Sequence, residues 1–223
     1  MPTLALLHTA AVNVMTFQGL CAELLPDVQA FHMLDESLLK HTIRDGEMSP
    51  LTARRVAGHV ISATEAGAGG ILVTCSSIGR GAEIARSLVS IPVVRVDEAM
   101  ADEAVRIGRR VGVIATVPTT LEPTAALVVS RAALAGATVE VTSHLCEGAF
   151  AALTGGDPAT HDAKVASGLR ELMDRVDVIV LAQATMARVV DTLPPEVRRV
   201  PILSSPRSGL MRAREALMAA RQS

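Results

Sequence analysis

The stretch ILVTCSSIG, residues 71–79, is the most informative part of the sequence about the fold. Its first residues form a short apolar run that leads directly into a cysteine, two serines and a glycine. A continuous apolar run of this length is typical of a strand in a parallel sheet that is covered on both faces. Residues that follow such a strand lie at the edge where parallel sheets bind ligands. Cys75 is therefore either a small core residue or a thiol beside a ligand site.

Apolar runs of the same kind alternate with longer helical patterns, and this alternation predicts an α/β protein. Two of the helical patterns have clear start signals, because Ser49 is followed by Pro50 and Asp157 by Pro158. We predict eight strands, at residues 3–8, 28–33, 70–75, 92–96, 110–116, 138–143, 177–182 and 200–204.

The order of these strands repeats at an offset of about 108 residues. The stretch at 71–79 matches VIVLAQATM at 178–186. A nearly constant offset over four strands predicts two pseudo-symmetric lobes, each a four-stranded parallel sheet flanked by helices. The other matching pairs are 4–9 with 111–116, 30–34 with 139–143, and 91–94 with 200–203.

The composition excludes several classes of partner. With three Phe and no Tyr or Trp, the chain has few rings on which bases could stack. Its 21 basic and 23 acidic residues are spread along the sequence, so no run matches a phosphate backbone. No apolar run reaches the roughly 20 residues that span a bilayer, and the N-terminus lacks the positive region of a signal peptide. We expect a cytoplasmic protein without nucleic-acid or membrane partners.

The cysteines and the missing motifs argue against disulfides, metals and nucleotides. Cys21, Cys75 and Cys146 are odd in number and irregularly spaced, which favours reduced thiols. Phosphate-binding and dinucleotide-binding glycine motifs and the zinc-protease motif are missing from the sequence. We therefore expect no metal and no cofactor, and we expect Cys21 to lie in the core.

Polar or small residues follow other predicted strands as well as the one before Cys75. They occur at residues 8–13, 116–120 and 182–186. Because parallel strands end at the same edge of a sheet, these segments are expected to line a ligand site. Hydroxyls, amides and one thiol suit a small carboxylate better than a long apolar or polyanionic ligand.

Four segments together resemble the aspartate/glutamate racemase superfamily, which also includes hydantoin racemases, maleate isomerases and arylmalonate decarboxylases. They are VTCSSIG (73–79), ATVPTTLEPT (115–124), EGAFAALTGGDPATHD (147–162) and VIVLAQATMARV (178–189). The resemblance implies a first lobe of residues 1–96 plus 204–223 and a second of 97–203, with a cofactor-free active site in the cleft between them. It also implies a homo-oligomer.

In the racemases of this superfamily, one cysteine from each lobe flanks the substrate's α-carbon, and Cys75 matches the first of these. Both the family pattern and the internal offset place Gln183 at the second position, where an amide cannot act as an acid or a base. The resemblance thus implies a racemase- or isomerase-type reaction on a small carboxylate or a related carbonyl compound, with one cysteine as the base or nucleophile. A decarboxylase of the arylmalonate type and a non-catalytic carboxylate-binding protein are the alternatives.

Other polar residues are candidates for binding the substrate. We expect a lowered pKa for Cys75 beside a helix N-terminus. Ser76 and Ser77 are candidates for substrate binding, but at least one of them is also expected to cap the following helix. His8 remains open as a base or a hydrogen-bonded core residue, and Cys146 as a second thiol. The candidate substrate-binding residues are Asn13, Ser76, Ser77, Thr116, Thr119, Thr120 and Thr185.

Overall fold

A computed structural model describes residues 1–194 and 198–222 of the chain. These residues form two compact units, one of Met1–Asp97 with the chain from Pro206 onward, the other of Glu98–Ser205. Each unit has a four-stranded sheet in which all neighbouring strands are parallel.

The first unit holds four strands and the helices that cover them. Its strands are β1 (Thr3–His8), β2 (Gln29–Leu34), β3 (Gly70–Val73) and β4 (Val93–Arg95). Its helices are α1 (Ala11–Leu24), α2 (Glu36–Asp45), α3 (Pro50–Glu65) and α4 (Gly79–Ala85). Two 3₁₀ turns, at Ser76–Ile78 and Arg86–Leu88, lie on either side of α4. Helix α10 (Ser205–Ala220) packs against the same sheet.

The second unit repeats this arrangement. Its strands are β5 (Arg110–Ala115), β6 (Glu140–Leu145), β7 (Val178–Leu181) and β8 (Ile202–Ser204). Its helices are α5 (Glu98–Ile107), α6 (Pro118–Leu134), α7 (Ala149–Thr154), α8 (Pro158–Met173) and α9 (Ala187–Thr192), with a 3₁₀ turn at Ala184–Met186.

The strand orders confirm the predicted internal repeat. The first sheet has the order β2-β1-β3-β4 and the second β6-β5-β7-β8, so equivalent strands occupy equivalent places. One detail of the sequence match is wrong: Gln29 pairs with Thr3 where Glu140 pairs with Arg110, so residues 30–34 correspond to 141–145 and not to 139–143. Short apolar runs match at several offsets, and only the pairing with the central strand selects one.

The central strands of both sheets, β1, β3, β5 and β7, are buried on both faces, as their continuous apolar runs predict. In the first unit, Leu4, Leu6 and Leu72 pack with α1 and α10, whereas the alternate residues Leu7 and Val73 pack with α3 and α4. The second unit has the same two layers, formed with α5 and α6 on one face and with α8 and α9 on the other. Aliphatic side chains fill both cores because the chain has so few aromatic residues.

The predicted elements are present, with corrections at their ends. Helix α3 begins at Pro50 with the Ser49 hydroxyl accepting a hydrogen bond from Thr52 N–H, and α8 begins at Pro158 with the Asp157 carboxylate as cap. Strand β3 ends at Val73, two residues earlier than predicted, because the chain turns into the 3₁₀ segment after Cys75. Strand β6 lies two residues later than predicted. Within the described residues, no helix has the length and apolar character needed to cross a membrane.

Candidate active site

Cys75 lies between the end of β3 and the 3₁₀ turn Ser76–Ile78, in extended backbone with φ −131° and ψ 118°. Part of the residue is accessible, and its side chain packs against the core layer on the α3 and α4 face of the sheet. Ser76 and Ser77 lie inside the turn and are buried, so the expectation that one of them caps the next helix is wrong. The turn instead directs polar groups toward the thiol.

Several donors point at the Cys75 sulfur. They are the Thr9 hydroxyl, the Ser77 N–H and hydroxyl, and the Ile78 N–H, and each of these hydrogen bonds favours the thiolate. Burial opposes them and has the larger effect, so the pKa of the Cys75 thiol is raised above its ordinary value. The expected lowering is therefore wrong: a three-residue turn, and not a long helix, follows the thiol, and desolvation dominates.

Gln183 occupies the equivalent place in the second unit. It precedes the 3₁₀ turn Ala184–Met186 with φ −134° and ψ 136°, close to the values at Cys75. Its Oε1 accepts hydrogen bonds from Thr116 N–H at 2.6 Å and from the Thr116 hydroxyl at 3.0 Å. Because a backbone N–H can only donate, the oxygen of the amide must face Thr116. The two N–H bonds of Nε2 are left for another acceptor.

The start of α6 carries more of the expected residues. Thr119 and Thr120 are in its first turn and are buried, and the residue at its N-cap, Val117, makes no side-chain capping hydrogen bond. Thr119 Oγ1 is buried and has no hydrogen-bond partner within the part of the chain that the structure describes. An uncapped helix start with a buried free hydroxyl is suited to a carboxylate, which accepts from N–H and O–H groups.

The remaining candidates have less distinct surroundings. Asn13 lies in the first turn of α1, half-buried, so it belongs to a helix and not to a loop. Thr185 is half-buried inside the 3₁₀ turn after Gln183. Cys146 is a core residue of the second unit, where burial raises the pKa of its thiol to about 11. Cys21 lies in the core of the first unit, as predicted, and burial likewise raises its pKa to about 11.

Sequence reasoning missed the residues that support Cys75. Thr9 lies in a stretch that drew attention as a strand end, but its hydrogen bond to the thiol depends on how β1 pairs with β3. Arg95, at the end of β4, is buried and makes a bidentate ion pair with Asp97 at 3.0 and 2.9 Å. A Cβ on Gly79 would lie 2.5 Å from the Arg95 guanidinium, so this charge packs directly under the turn that follows Cys75.

The described residues contain no group of three or more His, Cys, Asp or Glu side chains that could hold a metal ion. The strand end of the first unit offers a thiol, hydroxyls and backbone N–H groups, and that of the second unit offers an amide and a hydroxyl. They can exchange one proton, through the thiol, and can donate hydrogen bonds to anionic oxygens.

Solved structures with similar folds share little sequence with this chain. Glutamate racemase from Francisella tularensis subsp. tularensis, in complex with D-glutamate, matches with a TM-score of 0.72 and 16% identity, covering 99% of this chain and 82% of that one. Allantoin racemase from Klebsiella pneumoniae matches with a TM-score of 0.68 and 18% identity, covering 98% of this chain and 88% of that one. A cysteine-for-glycine mutant of arylmalonate decarboxylase, in a sulfate-associated form, matches with a TM-score of 0.60 and 20% identity, covering 97% of this chain and 94% of that one.

The sequence itself matches a known family. No curated protein sequence matches the chain significantly. The profile of the Asp/Glu/Hydantoin racemase family, however, matches residues 9–213, which is nearly the whole chain. Cys75 and Gln183, the residues at both strand ends described above, fall inside this match, and the fold agrees with the solved racemases. The protein belongs to the Asp/Glu/Hydantoin racemase family.

Proposed function

We propose that this protein is a cofactor-independent enzyme of racemase or isomerase type that moves a proton at a carbon beside the carboxylate, or a related carbonyl group, of a small substrate. Cys75 is its single thiol acid and base. The observation that carries the proposal is the asymmetry of the two strand ends: four donors surround a thiol at one, and an amide is held by Thr116 at the other. One proton-transfer group and one hydrogen-bond donor suit one-base chemistry.

The groups around these residues support a carboxylate as substrate. The free Thr119 hydroxyl and the uncapped start of α6 offer donors to its oxygens. Ser76, Ser77, Thr120, Thr185 and Asn13 remain proposed contacts for the same ligand. D-Glutamate, which the Francisella enzyme binds, and allantoin belong among the first compounds to test.

The proposed proton transfer has two steps. The Cys75 thiolate takes the α-proton, so the C–H bond breaks, an S–H bond forms, and the electron pair moves into the enolate-like oxygens. A Gln183 N–H donates to one of these oxygens, which stabilises the charge that develops there. The planar intermediate then turns its other face toward Cys75, and the thiol returns a proton to the carbon with inversion and becomes a thiolate again. Return of the proton to the original face would only exchange the hydrogen, without net reaction. Because burial raises the pKa of Cys75, the thiol of the free protein must first lose its proton to solvent.

That raised pKa favours a second candidate, a decarboxylase of the arylmalonate type. In that reaction the C–C bond to a carboxylate breaks, CO₂ leaves, and the electron pair stays on the α-carbon. The protonated Cys75 thiol then supplies the proton, and the resulting thiolate recovers one from water. A thiol that stays protonated near neutral pH can donate at once, whereas a base must be ionised first.

Reactions in D₂O followed by NMR test both candidates. The wild-type protein is incubated with amino acids, diacids, hydantoins and arylmalonates, beside Cys75→Ala and the buried-core control Cys146→Ala. Deuterium at an α-carbon without loss of CO₂ indicates the isomerase type, and loss of CO₂ with uptake of one deuterium indicates the decarboxylase. We expect Cys75→Ala to lower the rate by roughly 10²–10⁴-fold, the usual contribution of an acid–base group.

Unchanged turnover in Cys75→Ala would rule out both candidates. If compounds raise the melting temperature of the wild-type protein but none is turned over, the chain is a carboxylate-binding protein instead. The proposal extends to a cytoplasmic homo-oligomer, as the family resemblance implies, and size-exclusion chromatography with light scattering measures the oligomeric state.

A further inference from the structure

A row of hydrogen bonds crosses the first sheet at the end where Cys75 lies. His8 closes β1 and has no exposed surface. Its Nδ1 is 2.9 Å from the Thr74 hydroxyl, and its Nε2 is 2.8 Å from Nδ1 of His32 on β2. The row therefore joins three strands of the unit through side chains: His32 from β2, His8 from β1 and Thr74 at the end of β3.

This row lies on the face of the sheet opposite to the thiol. His8 contacts Phe17, a residue of the core layer formed with α1 and α10. Cys75 packs with the other layer, formed with α3 and α4. Successive residues of an extended strand point to opposite faces, so Thr9 and Cys75 meet on one face while their neighbours His8 and Thr74 meet on the other.

The hydrogen bonds of the row have defined directions. The Thr74 hydroxyl donates to the Leu7 carbonyl at 3.0 Å, so it must accept from His8, which therefore carries its proton on Nδ1. His8 Nε2 is then an acceptor, and His32 Nδ1–H donates to it. Burial, with repulsion from His32, lowers the pKa of His8 to about 4, so the ring is neutral near pH 7.

The same directions show that the row does not carry protons to Cys75. Its last donor, the Thr74 hydroxyl, points at a backbone carbonyl, which accepts a hydrogen bond but does not pass a proton on. Thr74 N–H also donates to the Leu7 carbonyl, at 3.0 Å. The row thus holds the backbone just before Cys75 against the end of β1, where Thr9 begins the next segment.

The second unit lacks this row, which provides an internal comparison. Ala115 closes β5 where His8 closes β1, and Ala182 follows β7 where Thr74 follows β3. Ser143 has the register position of His32, since it pairs with Val113 as His32 pairs with Leu6. Apolar packing therefore suffices to build this strand end. The polar row, whose burial has a cost unless every group is bonded, occurs in the unit that carries the thiol.

We propose that His8, oriented by His32, is a positioning residue for Cys75: its Nδ1–H holds Thr74, and this keeps the thiol within reach of the Thr9 hydroxyl. The inference deepens the proposed function, because positioning matters for catalysis only if Cys75 is the acid and base. The ionisation of the thiol, however, can be measured without any substrate.

The test is the rate at which iodoacetamide alkylates Cys75 between pH 7 and 10, measured by peptide mass spectrometry so that Cys21 and Cys146 are counted separately. Thr74→Val removes the acceptor with little change in shape, and His8→Leu removes the donor. His8→Asn keeps an N–H near the position of Nδ1. Thr42→Val is the matched control, since this buried hydroxyl also donates to a backbone carbonyl, that of Leu38, within the same unit.

We expect Thr74→Val and His8→Leu to react roughly tenfold more slowly at pH 8, because a weaker bond from Thr9 raises the pKa of the thiol by about one unit. His8→Asn and Thr42→Val should stay within about twofold of the wild-type protein. The proposal is wrong if Thr74→Val keeps the wild-type profile, or if a folded His8→Asn is as slow as His8→Leu. If His8→Leu does not fold, Thr74→Val decides alone. Turnover by the Cys75→Ala variant would refute the proposed function. The alkylation rates would still test whether His8 positions the thiol.

Discussion

The two units have nearly the same backbone at their strand ends but different chemistry. Cys75 and Gln183 share extended backbone before a three-residue 3₁₀ turn. Thr9 and Thr116, which follow the first strand of each unit, both donate a hydroxyl hydrogen bond to the residue at that position. The repeat thus preserves the donor and changes the acceptor from a thiol to an amide. One unit keeps a group that can ionise, and the other a fixed hydrogen-bond donor.

The residues packed around the two strand ends also differ, and those around the thiol are the more polar. Beneath the turn after Cys75, the first unit buries the Arg95 charge, which requires Gly79 because a Cβ there would overlap the guanidinium. At the equivalent positions the second unit has Ser204, which pairs with Leu181 as Arg95 pairs with Val73, and Ala187. The unit with the thiol therefore has more buried polar contacts near its strand end than the other unit has. The following changes, in order of decreasing expected effect, test how much that difference matters.

Arg95→Met should have the largest effect, on stability. It leaves Asp97, which has no exposed surface, without its bidentate partner, and breaking a buried pair usually costs about 3–5 kcal/mol. The free energy of unfolding in urea is measured by circular dichroism, since the chain has no Trp or Tyr for fluorescence. The control is Arg110→Met, which breaks the exposed pair with Asp177 and should cost far less. Equal losses of unfolding free energy in the two variants would show that the buried pair of Arg95 and Asp97 contributes no more to stability than the exposed pair.

Gln183→Glu should lower kcat by roughly 10²–10³-fold, the usual effect of losing one donor to a developing oxyanion. The change keeps an oxygen for Thr116 but replaces the N–H groups with a second acceptor. Gln183→Ala should have a similar effect, and Ser130→Ala, at an exposed site on α6, should have none. Steady-state kinetics on a substrate identified in D₂O provide the measurement, and full activity in Gln183→Glu would remove the amide from the mechanism.

Thr9→Val should raise the pKa of the Cys75 thiol further, by about 1–2 units, because a hydrogen bond to a charged group contributes roughly 1.5–3 kcal/mol. A raised thiol pKa means less thiolate at any given pH, so alkylation by iodoacetamide slows and its profile moves to higher pH. Thr116→Val, the same change in the second unit, should leave this profile unmoved. A shift of equal size in Thr116→Val would show that the ionisation of Cys75 does not depend specifically on the hydroxyl of Thr9.

Asp35→Asn should have the smallest effect, about 1–2 kcal/mol of stability near neutral pH. Burial raises the pKa of Asp35, but hydrogen bonds from Ser37 and His59 and the charge of Arg55 outweigh it and lower the value to about 2. A carboxyl with a depressed pKa stabilises the fold above its ordinary pKa of about 4, and this stability is lost as the pH falls toward 2. The wild-type protein and Asp35→Asn should therefore differ in urea midpoint at pH 7 and converge near pH 2. A difference in urea midpoint that is the same at pH 7 and at pH 2 would contradict the lowered pKa of Asp35.

Much of the candidate site follows from local patterns. The position of Cys75 after an apolar strand and its equivalence to Gln183 were predictable, since strands, turns and an internal repeat leave marks on neighbouring residues. The hydrogen bond between Thr9 and the thiol was not predictable, because those residues are distant in sequence and meet only through the pairing of β1 with β3. The pKa of Cys75 was predicted with the wrong sign for the same kind of reason. The helix-terminus argument is local, whereas desolvation depends on everything packed around the sulfur.

The α/β class, the twofold repeat and the equivalence of Cys75 with Gln183 follow from the sequence alone, because they depend on periodicity, turn residues and spacing along the chain. The tertiary structure alone decided the raised pKa of Cys75, the hydrogen-bonded row from His32 to Thr74 and the packing of Arg95 under Gly79. Each of these joins residues that are far apart in sequence, and each depends on burial and hydrogen-bond direction. Such quantities exist only once the strands are paired and water is excluded.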